Sequence, residues 1–287
     1  MIEGYLRMLS HSGLDPVQYQ FVLATYTSKS NKNGVEGELQ KFELNSVLGK
    51  KIRIEFSGEI RCTDCGAITK KSFNSGSCYK CFLSLASNDI CIVKPELCHF
   101  HSGTCREPDW GKQNCFKKHK VYLANTSGLK VGITKEGPIT KRWVDQGAVQ
   151  GLALFEVDSR LNSGKIEIEF AKFIADKTSW QKMLWNQPEE LDLEKFKKEI
   201  FEKVNLEKFD FKIKELKNES PLKINYPILK PAEKKISYNP LKMNTIEDEL
   251  TGIKGQYLIF KNGVLNCRTY SGYHCKFNLD SIAPNGI

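Results

Sequence analysis

Apolar and polar positions alternate through much of the first sixty residues. Phe42 and Leu44, then Ile52, Ile54 and Phe56, recur at every second place, the period of a half-buried strand. Beyond Lys120 the pattern changes. Val121, Tyr122 and Leu123 predict a strand, Asn125 to Gly128 a turn, and Leu129, Val131 and Ile133 the returning strand. A helix carrying Arg142 and Trp143 follows, then a third strand at "VQGLALFEV". Ser163 and Gly164 are expected to precede a helix whose apolar face is Ile166, Phe170, Phe173 and Ile174, with Glu167 early in it. Leu193, Phe196, Ile200, Phe201 and Val204 fall on one side of a further amphipathic helix. Pro221, Pro227, Pro231 and Pro240 then mark a linker or surface strap. Near the C-terminus "GQYLIF" and "VLNCRTY" flank Lys261-Asn262-Gly263, a hairpin signal.

These elements predict an α+β fold: a β-rich scaffold from both termini, an inserted zinc module and a central compact domain. The expected divisions are residues 1–60, β-rich; 61–118, zinc-binding; 119–187, the central α+β domain; and 188–244, amphipathic helix and Pro-rich linker. Residues 245–287 form a β-hairpin region expected to pack with the N-terminal part. A chain of 287 residues is long enough to bury cores in two or three such units.

Charge adds a direction. Lysine and arginine exceed aspartate and glutamate by 43 to 34, and the resulting +9 suits a polyanionic partner, since neutralising phosphates releases counterions. Tyr257, Tyr270 and Tyr273 are interleaved with Lys254, Arg268 and Lys276, a pattern able to stack bases and hold phosphates; the plainer alternative is tyrosines packing a small barrel. Cys267 and Cys275 are too isolated to argue as ligands.

Cysteine placement is the sharpest chemical signal. Eight of the ten cysteines lie between Cys62 and Cys115. Cys62-x2-Cys65, twelve further residues, then Cys78-x2-Cys81 bring four thiols to one ion, with Gly66 letting the backbone curl toward the sulfurs. Met1 to Ser10 lack the apolar core of a secretory signal and no stretch approaches membrane-spanning length, so a cytoplasmic chain with reduced thiols is expected, which favours Zn²⁺ over disulfides. A second zinc is expected among Cys91, Cys98, His99, His101, Cys105, Cys115 and His119, with Cys98, His101, Cys105 and Cys115 the preferred set and Cys91 read as a small buried hydrophobe.

The central segment resembles the GIY-YIG nuclease superfamily. Val121-Tyr122 looks like its first motif, with Lys120 where the leading Gly usually stands. Lys130-Val131-Gly132-Ile133-Thr134 looks like its second, with Lys in place of the second Tyr. Arg142 falls where the family's phosphate-contacting Arg is expected, Gln146 where many members have His, and Glu167 at the place of the metal-binding Glu, with Phe170 as its apolar partner. The resemblance implies that Tyr122 assists deprotonation of water, Arg142 stabilises charge growing on phosphate and Glu167 holds one Mg²⁺. The changed Tyr and His positions imply a degenerate site. Separately, "CHFHSGTCREPDWGKQNC", "VYLANTSGLKVGIT", "RWVDQGAV", "ADKTSWQKML" and "GIKGQYLIFKNGVLN" resemble an uncharacterised bacterial family, domain of unknown function 2797, which implies one integrated architecture and no established activity.

Three functions follow as expectations. The favoured one is a zinc-stabilised protein binding nucleic acid through Lys130, Tyr257, Arg268 and Tyr270, acting on RNA such as tRNA through the degenerate site of Tyr122, Arg142 and Glu167. RNA precedes DNA because no helix suited to reading a major groove is evident. The alternatives are an active Mg²⁺-dependent nuclease on DNA or RNA, and a non-catalytic scaffold for protein interactions in which zinc only holds loops.

Overall fold

A computed structural model describes residues 1–26, 36–174, 179–185 and 188–279. The chain mixes helix and strand and divides into two compact units, one formed by residues 1–82 and 226–287, the other by residues 83–225.

The first unit is built on one antiparallel sheet. Its strands are β1 (Ile2–Leu6), β2 (Ser10–Ser12), β3 (Gln18–Tyr26), β4 (Glu36–Glu43) and β5 (Lys51–Ile60). The second unit contributes β6 (His119–Asn125), β7 (Leu129–Lys135), β8 (Gln150–Val157), β9 (Lys214–Glu215) and β10 (Leu222–Lys223). The chain then returns to the first sheet with β11 (Thr245–Lys254), β12 (Tyr257–Phe260), β13 (Gly263–Asn266) and β14 (Tyr273–Leu279).

In the first sheet the order is β13-β12-β11-β5-β14-β1-β3-β2, with β4 also paired to β3. The C-terminal β14 thus lies between β5 and β1, its Phe277 opposite both Ile54 and Ile2. Alternation does the sorting: Ile52, Ile54 and Phe56 of β5 are buried, while the residues between them reach outward. Phe21 and Phe277 stack at 4.8 Å within this core. β12 and β13 form the hairpin, with Phe260 opposite Gly263 and only Lys261-Asn262 in the turn. The Asn262 amide donates to Asp248 Oδ2 at 2.9 Å, so the turn is tied to β11. Arg268 and Tyr270 sit in the turn after β13 rather than in a strand, because β13 ends at Asn266.

The second unit has β6 at the centre of its sheet, antiparallel to β7 on one side and β8 on the other. Three helices matter most here: α4 (Ile139–Asp145), α5 (Arg160–Ala171) and α7 (Leu193–Lys203), with α6 (Trp180–Trp185) between the last two. Ile166 and Phe170 of α5 and Leu193 and Ile200 of α7 pack with Val121, Leu123, Val131 and Leu154 of the strands in one apolar core. α1 (Tyr79–Ser84) runs across the division between the units at Phe82, and α2 (Ile90–Val93) and α3 (Pro108–Asn114) lie early in the second unit.

α5 starts at Arg160, five residues before the position after Gly164 that the sequence suggests. Ser159 caps it, its hydroxyl accepting from the Asn162 amide at 3.3 Å, so Ser163 and Gly164 lie inside the helix. Gly164 is tolerated there for a packing reason: a Cβ would approach Pro95 Cβ to 2.5 Å. Glu167 therefore falls in the second half of the helix, and Phe173 lies beyond the helix's end and is half exposed. The proline-rich stretch is also more engaged than a linker, since Leu222–Lys223 pairs with β8 and Ile228 bridges to Gly252. Among the described residues no helix is long and apolar enough to cross a membrane.

Candidate metal centre and the Tyr122 cluster

The four-cysteine knuckle grows directly out of β5. Its ligand atoms, the sulfurs of Cys62, Cys65, Cys78 and Cys81, all lie within 4.8 Å of one another, and Cys65 and Cys78 are 3.9 Å apart. A tetrahedral Zn²⁺ with Zn–S bonds of about 2.3 Å has sulfur–sulfur edges of about 3.8 Å, so the set fits the ion. The donor chemistry fits as well, since four thiols crowd together, those of Cys62 and Cys81 buried and those of Cys65 and Cys78 half-buried. Bound here, zinc would supply cross-linking alone, because no ligand position is left open.

The backbone prepares the sulfurs. The Cys78 amide donates to Cys62 Sγ at 3.1 Å, and Gly66, at φ 71°, turns the chain so that its amide reaches Cys62 O. Burial pushes the Cys62 thiol up to about 11 and, with its sulfur neighbours, raises Cys81 further. Burial would raise Cys78 too, yet the Cys81 amide and neighbouring thiols outweigh it and the Cys78 thiol moves down. The buried Cys62 and Cys81 thiols thus hold their protons more tightly than Cys78, and a bound cation would favour their loss.

Arg61, next in sequence to Cys62, fixes this knuckle to the sheet, and no sequence motif flagged it. Its side chain is buried; Nη1 donates to Gly66 O at 2.9 Å and Nε to the Tyr5 hydroxyl at 2.9 Å. The guanidinium lies 5.4 Å from the Tyr5 ring centre and 5.1 Å from that of Tyr26.

The expected second set is spread over two adjoining pockets of the second unit. Cys91, Cys98, Cys105 and Cys115 line one of them; Cys98, His101 and Cys115 line the other, with Phe116, Asp158 and Asn162. A closer grouping, Asp89, Cys91 and His99, has its donor atoms within 4.8 Å of one another. His119 lies apart from these as a buried neutral imidazole whose Nδ1 sits 2.8 Å from Lys117 O.

Tyr122, Arg142 and Glu167 come from β6, α4 and α5. Tyr122 is fully buried, and its hydroxyl donates to Gln146 Oε1 at 3.1 Å. Arg142 is a hydrogen-bond partner of the phenol, and the charge of Glu167 also reaches it. Burial is the largest influence and Glu167 adds to it, so the phenol rises to about 12 despite Arg142 and Gln146. Arg160 joins the cluster through electrostatic contact with Arg142 and Glu167, a residue the sequence did not single out. Trp143, next to Arg142, is buried edge-on to Tyr122 at 5.9 Å.

The residues expected to touch nucleic acid fall in both units. Lys130 is half-buried on β7 opposite Ala124. In the first unit Tyr257 is partly buried, Tyr270 packs edge-on to Tyr273 at 5.3 Å, and Arg268 is exposed.

Residues 49–275 match the model of a family described as protein of unknown function, DUF2797. The chain belongs to this family. The match covers most of both units, so the knuckle and the Tyr122 cluster lie within the DUF2797 region. No curated protein and no solved structure matches the chain.

Proposed function

We propose that this DUF2797 protein is a zinc-stabilised nucleic-acid-binding protein that engages RNA, such as tRNA, through a degenerate GIY-YIG-like site. The convergence of Tyr122, Arg142, Gln146 and Glu167 carries the reading, because a cation and a carboxylate held around one buried phenol suit a phosphate with its counterion. The element order supports it: hairpin β6–β7, helix α4 with Arg142, strand β8 beside β6, then helix α5 with Glu167. The excess of 43 basic over 34 acidic residues supports it as well.

Binding is favoured over hydrolysis on one observation. A phenol pushed up to about 12 and already donating to Gln146 keeps its proton at neutral pH, so Tyr122 is a poor acceptor for a proton from water. The nuclease reading retains one argument, the carboxylate of Glu167 near Arg142, where Mg²⁺ would be held.

Fluorescence anisotropy with labelled tRNA and duplex DNA across a salt series tests the proposal. Expected is tighter binding of tRNA with a steep salt slope. Arg142→Ala should lower affinity about tenfold and reduce the slope by roughly one. No binding of either probe at about 50 mM salt would remove the proposal and leave the protein-interaction scaffold. Mg²⁺-dependent cleavage lost in Glu167→Ala would instead select the nuclease.

A further inference from the structure

Residues 86–118 fold with little apolar core of their own. Their helical pieces are three short 3-10 turns, the four residues of α2 and the seven of α3. Ile90, Val93, Leu97 and Phe116 are exposed, and the apolar core under the five-stranded sheet draws no residue from this stretch. So small an apolar content ordinarily calls for a covalent or metal staple.

The stretch encloses sulfur instead. Cys91, Cys98, Cys105 and Cys115 line a single cavity of about 20 Å³, room for one ion or one water. Cys91 is within electrostatic reach of the other three thiols, and Cys115 of Cys98 and Cys105. The four sulfurs do not stand within 4.8 Å of one another as those of the first set do, so an ion would draw them together. The wall is closely fitted: a Cβ on Gly111 would meet Cys105 Sγ at 3.4 Å and the Phe100 ring at 3.3 Å. We propose that Cys91, Cys98, Cys105 and Cys115 hold a second Zn²⁺ as a tetrathiolate site.

The competing donors are otherwise engaged. Asp89 Oδ2 pairs with Arg106 Nε at 2.8 Å and faces His99 Nε2 at 3.4 Å, while His99 Nδ1 lies 2.8 Å from Thr104 Oγ1. That chain braces the rim of the cavity, the part that groups behind a metal's ligands commonly play. His101 faces the neighbouring pocket, its ring against Phe100 and Phe116 at 5.7 Å each. A tetrathiolate zinc carries two negative charges, and Arg160 offsets them: its charge reaches Cys91 and Cys115, and its amide donates to Cys115 O at 2.8 Å. The site stands independently of any nucleic-acid role.

Zinc content of the reduced full-length chain, by elemental analysis, tests the site. Expected are two zinc ions per chain, falling to one in Cys91→Ser and in Cys105→Ser and staying at two in His101→Ala. A single zinc in the unaltered protein overturns the proposal, as does loss of the second ion in His101→Ala with retention in Cys91→Ser. Should the cysteine variants fail to fold, Co²⁺ titration of the unaltered chain decides. Two equivalents that each give a four-thiolate charge-transfer spectrum support the site; a second equivalent with a nitrogen- or oxygen-ligated spectrum refutes it.

Discussion

The Tyr122 ring lies against Gly132 on the neighbouring strand, where a Cβ would fall 2.7 Å from the phenol oxygen. The glycine makes the space in which Tyr122 is buried. It therefore sets the position of the hydroxyl that meets Gln146 and Arg142.

Gly132→Ala should displace that ring and cost about 1–3 kcal/mol, the usual penalty for overpacking a filled core. Thermal or urea unfolding measures the loss. Wild-type stability in the variant would mean that the ring shifts without strain.

Zinc removal should unfold the knuckle rather than weaken one contact. Chelation, or Cys65→Ser, is expected to lose the ion and expose residues 62–82 to protease, because ligation and folding are one equilibrium here. Limited proteolysis with and without chelator shows it, and unchanged cleavage would contradict the assignment.

Arg61→Ala should loosen the same knuckle without touching a ligand. It leaves Gly66 O without its buried donor and removes the cation between Tyr5 and Tyr26, a loss of about 2–4 kcal/mol. Zinc affinity should fall alongside stability, measured by competition with a chromogenic chelator. Equal affinity in the two proteins would restrict Arg61 to the sheet.

His119 predicts an acid sensitivity. Burial, with Arg160 and Lys135 nearby, lowers its imidazole to about 4 despite the bond to Lys117 O and the charge of Glu136. Between pH 6.5 and 4 the unfolded chain binds a proton that the folded chain refuses, so stability present above pH 6.5 is lost as pH falls through this window. From pH 7 to 5 the difference between the unaltered protein and His119→Gln should change by about 2 kcal/mol. Denaturant titrations at the two pH values check this, and parallel losses in both proteins would exonerate His119.

The knuckle was legible because its information is local: Cys-x2-Cys places two sulfurs on one turn whatever surrounds it. Strand alternation around Ile52–Phe56 and the helical face of Leu193–Val204 were legible for a similar reason, since each period reports its own buried side. Cys91 was not. Its sulfur neighbours come from Cys98, Cys105 and Cys115, at separations of six, six and nine intervening residues that match no turn motif. The start of α5 escaped for another reason: Gly164 reads as a helix breaker until Pro95 is seen against it.

By itself the sequence determined which stretches could be strand or helix and which four cysteines form the knuckle, because those depend on neighbours within a few residues. Only the tertiary structure decided that Arg61 clamps the knuckle, that Tyr122 is buried on Gly132 beside Arg142 and Glu167, and that Cys91 lines a sulfur cavity. Each of those joins residues distant along the chain, and their meeting is fixed by the packing of whole elements.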